Sequence, residues 1–511
     1  MNETTNKARC KPLRIITAIF CSLIIFISLL ALFSGYWYIN TYGNLGFESI
    51  LYTLLSDLGG VESELLLRYI LFSVAPATIC TALLYLLLFV PWKKKLVLKF
   101  SPKFKIKILP MRRITAIICS IVFSVGFFCW AAGITQLFEF ISYVSKESTI
   151  FEDEYVDPEN TKITFPDKKR NLVYIFMESM ENTFFSKEQG GALENSAIPE
   201  LYNLAKKNVS FSCNDGVGGL YCGSGTNWTT GAMVAQTAGI PLKTYPGTNA
   251  NNFGGNGAFL PGVKSLNDIL HENGYYQTLM VGSDASFGGR KTYFEEHNVD
   301  CIYDLDSAKK DGIVEPDYNV WWGMEDSHLY RYAKQELKEI SAGEQPFAFF
   351  MLTADTHHIG GYVCPYCEDT YEHQYENVYA CASKQLSEFL KWIKKQDFYK
   401  NTSIVIVGDH PSMDEEYMNK ININGFARCI YNCFVNSSVV PSKTRDRVAF
   451  SLDIFPTTLA SMGCTIEGER LGFGTNLFSD AKTLGEKLGA SYLNVELKKH
   501  SPYYSKNFLV K

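Results

Sequence analysis

The chain has 511 residues, enough for more than one domain, and its formal net charge is −5 with a pI of about 6.0. This balance provides none of the basic surface that nucleic acids require, so we expect no nucleic-acid partner. Hydropathy is unevenly distributed: the long apolar runs all precede residue 145, and the remainder has the composition of a soluble domain.

Three apolar segments are predicted to cross a membrane, because each can supply the roughly 20 helical residues that a bilayer core requires. They are Ile15–Tyr38, Leu67–Trp92 and Ile114–Tyr143. The stretch 93–113 carries nine basic residues and no acid, whereas the loop between the first two spans carries only acids, namely Glu48, Asp57, Glu62 and Glu64. Since basic loops stay in the cytoplasm, everything after the third span is expected outside it.

Nine cysteines follow the predicted spans, and in an oxidising compartment such a set is expected to form disulfides. Two pairs are close in sequence: Cys213 with Cys222, and Cys429 with Cys433. Cys364-Pro-Tyr-Cys367 has the spacing of a redox motif or of half a zinc site. Because no second Cys-x-x-Cys accompanies it, a disulfide that closes the loop is the favoured interpretation.

The part of the chain after residue 170 is predicted to be an α/β domain with a mostly parallel sheet covered by helices. Residues 144–170 are polar and charged and are predicted to be a linker on the membrane surface, between a membrane domain (1–143) and the outer domain (171–511). Continuous apolar strands alternate with helical patterns, as in sheets buried on both faces. The predicted strands are Asn171–Met177, Tyr276–Val281, Phe347–Leu352 and Thr402–Val407, and the predicted helices Ile198–Lys206, Val263–Asn273, His328–Ala342 and Tyr379–Lys395.

Acidic and histidine side chains follow three of the predicted strands. Glu178 follows the first, Asp355 and His357-His358 the third, and Asp409-His410 the fourth. Functional groups of such sheets gather beyond the carboxyl ends of the strands. Two carboxylates and one imidazole are suitable ligands for a divalent cation, so Glu178, Asp409 and His410 are predicted to form a metal site.

A second motif, Gly223-Ser-Gly-Thr226-Asn-Trp228-Thr-Thr-Gly-Ala-Met233, is typical of a tight loop that opens a helix. A hydroxyl there would meet unpaired backbone N–H groups, which favour a phosphoryl group. Coordination to a metal would also make the hydroxyl more nucleophilic. By itself the motif is equally typical of an ordinary helix cap.

Taken in this order, the motifs resemble the sulfatase-like branch of the alkaline phosphatase superfamily. They are most similar to the phosphoglycerol transferase I and lipoteichoic acid synthase family. The resemblance covers roughly residues 170–480 and rests on Asn171–Ser179, Gly225–Thr229, Gly231–Ala235, Gly239–Leu242, Asp355–His358, Asp453–Thr458 and Gly472–Leu477.

The resemblance implies a role for each matching residue. Glu178, Thr226, Asp409 and His410 would bind the metal, which in this family is usually manganese, with zinc and magnesium as alternatives. Thr226 would also be the nucleophile. The remaining implied contacts are His357 for proton transfer or phosphate, Arg290 and His358 for the phosphoglycerol group, and Phe287 or Trp228 for the glycerol, because Gly288 stands where the synthases have tryptophan.

The implied function is transfer of phosphoglycerol from a membrane phospholipid, phosphatidylglycerol, to a hydroxyl of an extracytoplasmic glycan or glycerophosphate polymer. The enzyme would be a multi-pass protein of a bacterial inner or plasma membrane, with a periplasmic or extracellular catalytic domain. A phosphoethanolamine transferase with the same fold is the first alternative, and a non-enzymatic binding or sensor domain is the second. A sulfatase would need a Cys/Ser-x-Pro-x-Arg motif, and the loop around Thr226 lacks one.

Overall fold

A computed structural model describes residues 3–43, 46–55, 63–90, 96–99, 105–108, 113–244, 258–318, 320, 323–421, 423 and 425–510. The chain divides into two compact units. The first comprises Met1–Phe47 and Glu62–Phe140, and the second Glu48–Val61 and Ile141–Lys511. The second unit therefore includes a short piece of the loop between the first two predicted spans.

The helices and strands are numbered in chain order. The α-helices are α1 (Glu3–Tyr42), α2 (Phe47–Leu55), α3 (Ser63–Tyr69), α4 (Ala75–Phe89), α5 (Arg113–Ile134), α6 (Leu137–Val144), α7 (Ile150–Glu154), α8 (Pro199–Lys207), α9 (Thr229–Ala238), α10 (Leu266–Glu272), α11 (Arg290–Glu296), α12 (Leu305–Lys310), α13 (Asp326–Ile340), α14 (Gln374–Ile393), α15 (Glu415–Lys420), α16 (Ile454–Ser461), α17 (Leu484–Leu488), α18 (Ala490–Lys498) and α19 (Pro502–Asn507). The strands are β1 (Leu96–Lys99), β2 (Lys105–Ile108), β3 (Ile163–Thr164), β4 (Asn171–Met177), β5 (Tyr276–Val281), β6 (Cys301–Tyr303), β7 (Phe347–Leu352), β8 (Thr402–Gly408), β9 (Asn432–Val435), β10 (Thr465–Ile466), β11 (Arg470–Leu471) and β12 (Gly474–Thr475).

Three described stretches of helix in the first unit are long and apolar enough to cross a membrane: Ile15–Tyr42, Leu65–Phe89 and Arg113–Ile134. The third is shorter than the predicted segment, which extended to Tyr143. The backbone turns at Gln136, whose φ is 57°, and α6 then begins as a separate helix. Outside the described residues lie Trp92 and several charges used to orient the spans, namely Asp57, Glu62, Lys93, Lys94, Lys95, Lys103 and Arg112.

The second unit is built on a six-stranded sheet with the order β6-β5-β7-β4-β8-β9. The neighbours from β6 to β8 pair in parallel, and only β9 runs antiparallel to its neighbour. The sequence-based prediction of a mostly parallel sheet is confirmed. Each of the four predicted strands is present, with β8 one residue longer than predicted.

Strand β4 lies in the interior of the sheet, between β7 and β8, and both of its faces are apolar. The even-numbered residues from Leu172 to Phe176 pack into one hydrophobic core, and the odd-numbered residues from Val173 to Met177 pack into the other. All of these side chains are fully buried. The unbroken run of apolar residues in the sequence therefore reflects a strand covered by helices on both sides.

The register of the sheet brings the strand ends together. Met177 of β4 pairs with Gly408 of β8, so Glu178 and Asp409 emerge side by side. Gly408 is the last residue of β8. A glycine is required there because a Cβ would lie 1.9 Å from the carbonyl oxygen of Met180.

The segment 144–170, predicted to be a linker, is largely packed into the second unit. Phe151 is 1% exposed, and its ring contacts Phe473 and Tyr504 edge to face. Strand β3 pairs with β10 near the end of the chain. The segment thus contributes to the core of the second unit, while the three-part division of the chain at residues 143 and 170 remains a prediction.

A buried ion pair supports the loops around the sheet end. Glu181 is fully buried, and its carboxylate accepts hydrogen bonds from Arg428 Nε at 2.8 Å and from the Ser412 N–H at 2.9 Å. Replacing Glu181 by alanine leaves the Arg428 charge without this partner, and we expect a loss of roughly 3–5 kcal/mol in the free energy of unfolding. Thermal unfolding of the full chain in detergent measures it.

The matched control is Glu388→Ala, which removes a carboxylate from the solvent-exposed pair with Lys391. We expect its unfolding temperature to equal that of the natural sequence, because exposed pairs contribute little. Equal unfolding temperatures for Glu181→Ala and Glu388→Ala would contradict the assigned role of the buried pair.

Candidate active site

Glu178, Asp409 and His410 form one compact cluster at the carboxyl end of the sheet. One ligand atom from each lies within 4.8 Å of the others. His410 Nε2 is 3.3 Å from Asp409 Oδ2 and 3.6 Å from Glu178 Oε1. All three side chains are almost fully buried, the most exposed at 1%. The structure thus brings together Glu178, Asp409 and His410, which the sequence predicted as ligands.

Hydrogen bonds fix the orientation of each member of the cluster. Asp409 Oδ1 accepts the backbone N–H groups of Ser179 and His410, both at 2.7 Å. Glu178 Oε1 accepts the Ser179 hydroxyl at 2.8 Å. His410 Nδ1 lies 2.9 Å from the Pro411 carbonyl oxygen, so Nδ1 carries a hydrogen and donates it there, and Nε2 faces the carboxylates.

The cluster fits a divalent cation. Asp409 Oδ2 is buried and has no hydrogen-bond partner among the described residues. Without a cation, burial raises the pKa of Glu178 to about 8 and that of Asp409 to about 7. The two buried carboxylates and the imidazole therefore point at one volume, and no positive charge there compensates the carboxylates. A bound metal ion would supply that charge.

Of the two threonines Thr226 and Thr229, it is Thr229 whose hydroxyl reaches this cluster. Thr229 is the first residue of α9, and its Oγ1 lies 3.3 Å from His410 Nε2 and 3.5 Å from Glu178 Oε2. Thr226 Oγ1 instead accepts the Gly223 N–H at 2.9 Å and donates to the Gly223 carbonyl oxygen at 3.0 Å. Thr226 is also fully buried, whereas Thr229 is half-buried. The structure therefore places Thr229, and not the predicted Thr226, beside the cluster.

Glycines allow the loop to place Thr229 at the start of the helix. Gly225 has a φ of 74°, and a Cβ there would lie 2.6 Å from the Leu242 carbonyl oxygen. A Cβ on Gly231 would lie 2.6 Å from the Gly225 carbonyl oxygen, so the loop folds tightly onto the first turn of α9.

His357 lies in the segment that follows β7, and this segment is bonded to the cluster. The Thr356 hydroxyl donates to the Glu178 carbonyl oxygen at 2.5 Å, and Thr353 Oγ1 accepts the Glu178 N–H at 3.0 Å. Burial lowers the pKa of His357 to about 3, so the ring is neutral at pH 7. Its Nδ1 lies 2.7 Å from the His358 carbonyl oxygen, and the two rings stack with centroids 4.4 Å apart.

Arg290 is held rigidly despite its charge. It is 1% exposed and donates from Nε to the Phe287 carbonyl oxygen at 3.0 Å. Its Nη2 donates to Ser283 Oγ at 2.9 Å and to the Asp284 carbonyl oxygen at 2.7 Å. Burial lowers the pKa of Arg290, while the negative charges of Glu178 and Asp284 act in the opposite direction. Arg290 is therefore a buried side chain, although its sequence pattern alone is also compatible with an arginine on the surface.

Two side chains on α2 contact the loop of residues 223–228 that precedes α9, and the sequence did not single them out for this. The Tyr52 ring lies 5.3 Å from the Trp228 ring, and its hydroxyl donates to the Gly288 carbonyl oxygen at 2.5 Å. The Ser224 hydroxyl donates to Glu48 Oε2 at 2.9 Å. No local pattern could have found these contacts, because they join residues separated by about 170 positions or more.

Tyr52 also explains the glycine at position 288. Gly288 has a φ of 65°, and a Cβ there would lie 2.9 Å from the Tyr52 hydroxyl oxygen. Thr230 Oγ1 would lie still closer to that Cβ, at 2.7 Å, so the two hydroxyl oxygens leave no room for a side chain at position 288. Trp228, expected from the resemblance to contact glycerol, is 6% exposed and packs on Tyr52.

Removing Tyr52 is expected to slow catalysis without emptying the metal site. Tyr52→Phe keeps the contact with Trp228 but loses one buried hydrogen bond, worth about 1 kcal/mol, so we expect about a fivefold decrease in turnover. Tyr52→Ala also removes the ring, and we expect a decrease of roughly tenfold or more. Steady-state turnover and metal content of both variants test this. Equal turnover of Tyr52→Ala and the natural sequence would show that α2 has no part in the site.

The sequence model of the family described as Sulfatase matches residues 170–464. The chain belongs to the sulfatase family. The match spans β4 to α16 and so includes the cluster, α9 and Arg290. Members of the sulfatase family are enzymes, so the second unit carries a catalytic domain, and the predictions of a sulfatase-like fold and of an enzyme are confirmed.

Two curated relatives are 29% and 31% identical to this chain over the aligned residues. Phosphoglycerol transferase I of Xanthomonas campestris pv. campestris is 29% identical over 331 residues, which are 63% of this chain and 45% of the relative. Phosphoglycerol transferase I of Escherichia coli O127:H6 is 31% identical over 283 residues, which are 54% of this chain and 35% of the relative. The chain thus spans less than half the length of these relatives.

A solved structure shows the same fold over most of the chain. The integral membrane protein lipooligosaccharide phosphoethanolamine transferase A from Neisseria meningitidis superposes with a TM-score of 0.50 at 13% identity. The superposition covers 88% of this chain and 84% of the other. At this identity the likeness concerns the fold alone and says nothing about the substrate of this chain.

Proposed function

We propose that the chain is a metal-dependent phosphoglycerol transferase that uses phosphatidylglycerol as its donor. The acceptor is a hydroxyl of an extracytoplasmic glycan or glycerophosphate polymer. The observation that carries the proposal is the Thr229 hydroxyl, placed at the start of α9 and 3.3 Å from His410 Nε2. The relatives named phosphoglycerol transferase I support the choice of head group. The apolar helices of the first unit suit an enzyme whose donor stays in a membrane.

Glu178, Asp409 and His410 would hold one divalent metal ion, with the Thr229 hydroxyl as a further ligand. Manganese is the expected ion, with zinc and magnesium as the alternatives. When bound, the ion supplies positive charge for the phosphoryl oxygens and lowers the pKa of the Thr229 hydroxyl. These roles rest on the placement of the four side chains and on the unpaired oxygen of Asp409.

In the first half-reaction Thr229 Oγ1 attacks the phosphorus of phosphatidylglycerol. A bond forms between Oγ1 and phosphorus while the bond from phosphorus to the diacylglycerol oxygen breaks. Diacylglycerol leaves with the proton, and Thr229 carries a glycerophosphate ester. The backbone N–H groups in the first turn of α9 face the phosphoryl oxygens and stabilise their charge.

In the second half-reaction the acceptor hydroxyl attacks the same phosphorus and the bond to Thr229 Oγ1 breaks. His357, which is neutral at pH 7, accepts a hydrogen bond from the acceptor hydroxyl, and the acceptor's proton ends on Thr229 Oγ1, which restores the threonine hydroxyl. Arg290 is oriented by three hydrogen bonds from Nε and Nη2, while Nη1 makes no hydrogen bond with the described residues. We assign Nη1 to the anionic phosphoglycerol group, to which a guanidinium binds strongly.

The donor is tested with the full chain in vesicles that contain either phosphatidylglycerol or phosphatidylethanolamine. Release of diacylglycerol from phosphatidylglycerol alone, dependent on Mn²⁺ and absent in Asp409→Asn, is the expected result. Release from phosphatidylethanolamine alone would keep the mechanism and change the function to phosphoethanolamine transfer. No release from either lipid by a folded, metal-loaded protein would contradict the proposal.

A further inference from the structure

Three cysteines outside the active site converge on one point. Cys364 and Cys367 lie in the irregular segment between β7 and α14, and Cys381 lies on α14. Cys364 Sγ is 3.6 Å from Cys381 Sγ and 3.7 Å from Cys367 Sγ. All three sulfur atoms lie within 4.8 Å of one another, and Cys364 and Cys381 are 2% and 4% exposed. Helix α14 thus brings a third thiol to the Cys-Pro-Tyr-Cys motif, for which the sequence alone showed only two cysteines.

The distances between the sulfur atoms suit a shared ligand. Zinc–thiolate bonds of about 2.3 Å at tetrahedral angles place sulfur atoms about 3.8 Å apart. A disulfide would bring one pair to about 2.05 Å and could join only two of the three. Here one sulfur has two partners at nearly equal distances, which fits three ligands of a single ion.

The backbone of the motif holds its two thiols close together. The Cys367 N–H closes a turn on the Cys364 carbonyl oxygen at 3.0 Å, and the Cys367 thiol donates to Cys364 Sγ at 3.7 Å. A divalent cation among the three sulfur atoms would be bound by their thiolate forms.

We propose that Cys364, Cys367 and Cys381 bind a structural zinc ion, separate from the metal at Glu178, Asp409 and His410. Three thiolates are soft ligands, which select zinc over manganese or magnesium. A fourth, non-sulfur ligand completes the tetrahedron. The amide of Gln385 is placed for this, with Nε2 3.4 Å from Cys381 Sγ and 3.8 Å from Cys364 Sγ, since the amide can turn its oxygen to the ion.

The zinc would hold the segment that follows His357 and His358 against α14. Asn377 of α14 already binds this segment, because its Oδ1 accepts the N–H groups of Thr370 at 2.9 Å and Tyr371 at 2.7 Å. The metal would add a second link between this segment and α14, nearer to His357 and His358. Its role is to position the segment, not to take part in the reaction.

The zinc content of the full chain, purified in detergent under reducing conditions and analysed by elemental mass spectrometry, tests the proposal. We expect Cys381→Ala to contain one zinc fewer than the natural sequence and Asp409→Asn to keep the thiolate-bound zinc. Cys433→Ala is the matched control, because Cys433 is also fully buried and lies outside the cluster. Cobalt substitution is expected to give a sulfur-to-cobalt charge-transfer band that persists in Asp409→Asn and disappears in Cys381→Ala.

A second measurement needs no variant and therefore does not depend on how Cys381→Ala folds. A mercurial reagent added to the natural protein is expected to release one zinc as three thiols are modified. Zinc release without thiol modification would contradict the proposal. So would equal zinc content in Cys381→Ala and Cys433→Ala, or a non-reduced digest in which two of the three cysteines are joined by a disulfide.

Discussion

Thr229→Ala is expected to lower phosphoglycerol transfer by roughly 10⁴-fold or more, because the variant lacks the atom that forms the covalent intermediate. Metal content is expected to fall only in part, since Glu178, Asp409 and His410 remain. Diacylglycerol release from phosphatidylglycerol vesicles measures the loss. Thr229→Ser keeps a hydroxyl at the start of α9 and is expected to retain measurable transfer.

The matched control is the neighbouring threonine. Thr226→Val has nearly the same shape but no hydroxyl, and it loses two hydrogen bonds to Gly223 within the loop. We expect it to keep most of its turnover, because the Thr226 hydroxyl does not reach the cluster. Loss of transfer in Thr226→Val together with retention in Thr229→Ala would reverse the assignment of the nucleophile.

Asp409→Asn is the second change with a large expected effect. The substitution keeps the side chain's size and one oxygen but removes a charge from the cluster. Changes to residues that only support a metal ligand cost 10–100-fold in affinity, so we expect a loss of more than about 100-fold for this ligand itself. Titration calorimetry with Mn²⁺ measures the affinity. The control Glu388→Gln removes a surface carboxylate and is expected to leave it unchanged, whereas unchanged affinity in Asp409→Asn would place the metal elsewhere.

Metal binding is also expected to depend on pH. In the metal-free protein the pKa of Asp409 is about 7 and that of Glu178 about 8, both raised above their ordinary values of 3.8 and 4.5. Because the folded state holds these protons more tightly than the unfolded chain does, the metal-free fold loses stability as pH rises toward 8. The ion displaces the protons, so its affinity and the rise in unfolding temperature on its addition should both be larger at pH 8 than at pH 6. Identical thermal shifts at the two pH values would contradict this.

Glu178, Asp409 and His410 could be predicted as site residues because they come directly after strands β4 and β8 in the sequence. An unbroken apolar run such as β4 forms a strand buried on both faces, and the parallel register then places Glu178 beside Asp409. The third strand end, with His357, is joined to Glu178 through Thr356. No other tertiary information was needed for these positions.

The reactive hydroxyl could not be chosen in the same way. Thr226 and Thr229 lie three residues apart in a loop whose turn depends on Gly225 packing against Leu242, a contact that the local sequence does not reveal. Tyr52 and Glu48 were missed for a related reason, since helix α2 comes from a loop between predicted spans. The third cysteine of the proposed zinc site, Cys381, likewise reaches the motif only through the packing of α14.

The most direct test of the proposed mechanism is to locate the covalent intermediate. The full chain would be incubated with phosphatidylglycerol and Mn²⁺ without acceptor, quenched in acid and digested, and the peptide that contains both threonines fragmented in the mass spectrometer. The mechanism predicts a glycerophosphate group on Thr229, absent when Thr229 is replaced by alanine. A glycerophosphate group on Thr226, or none on this peptide while diacylglycerol is released, would contradict it.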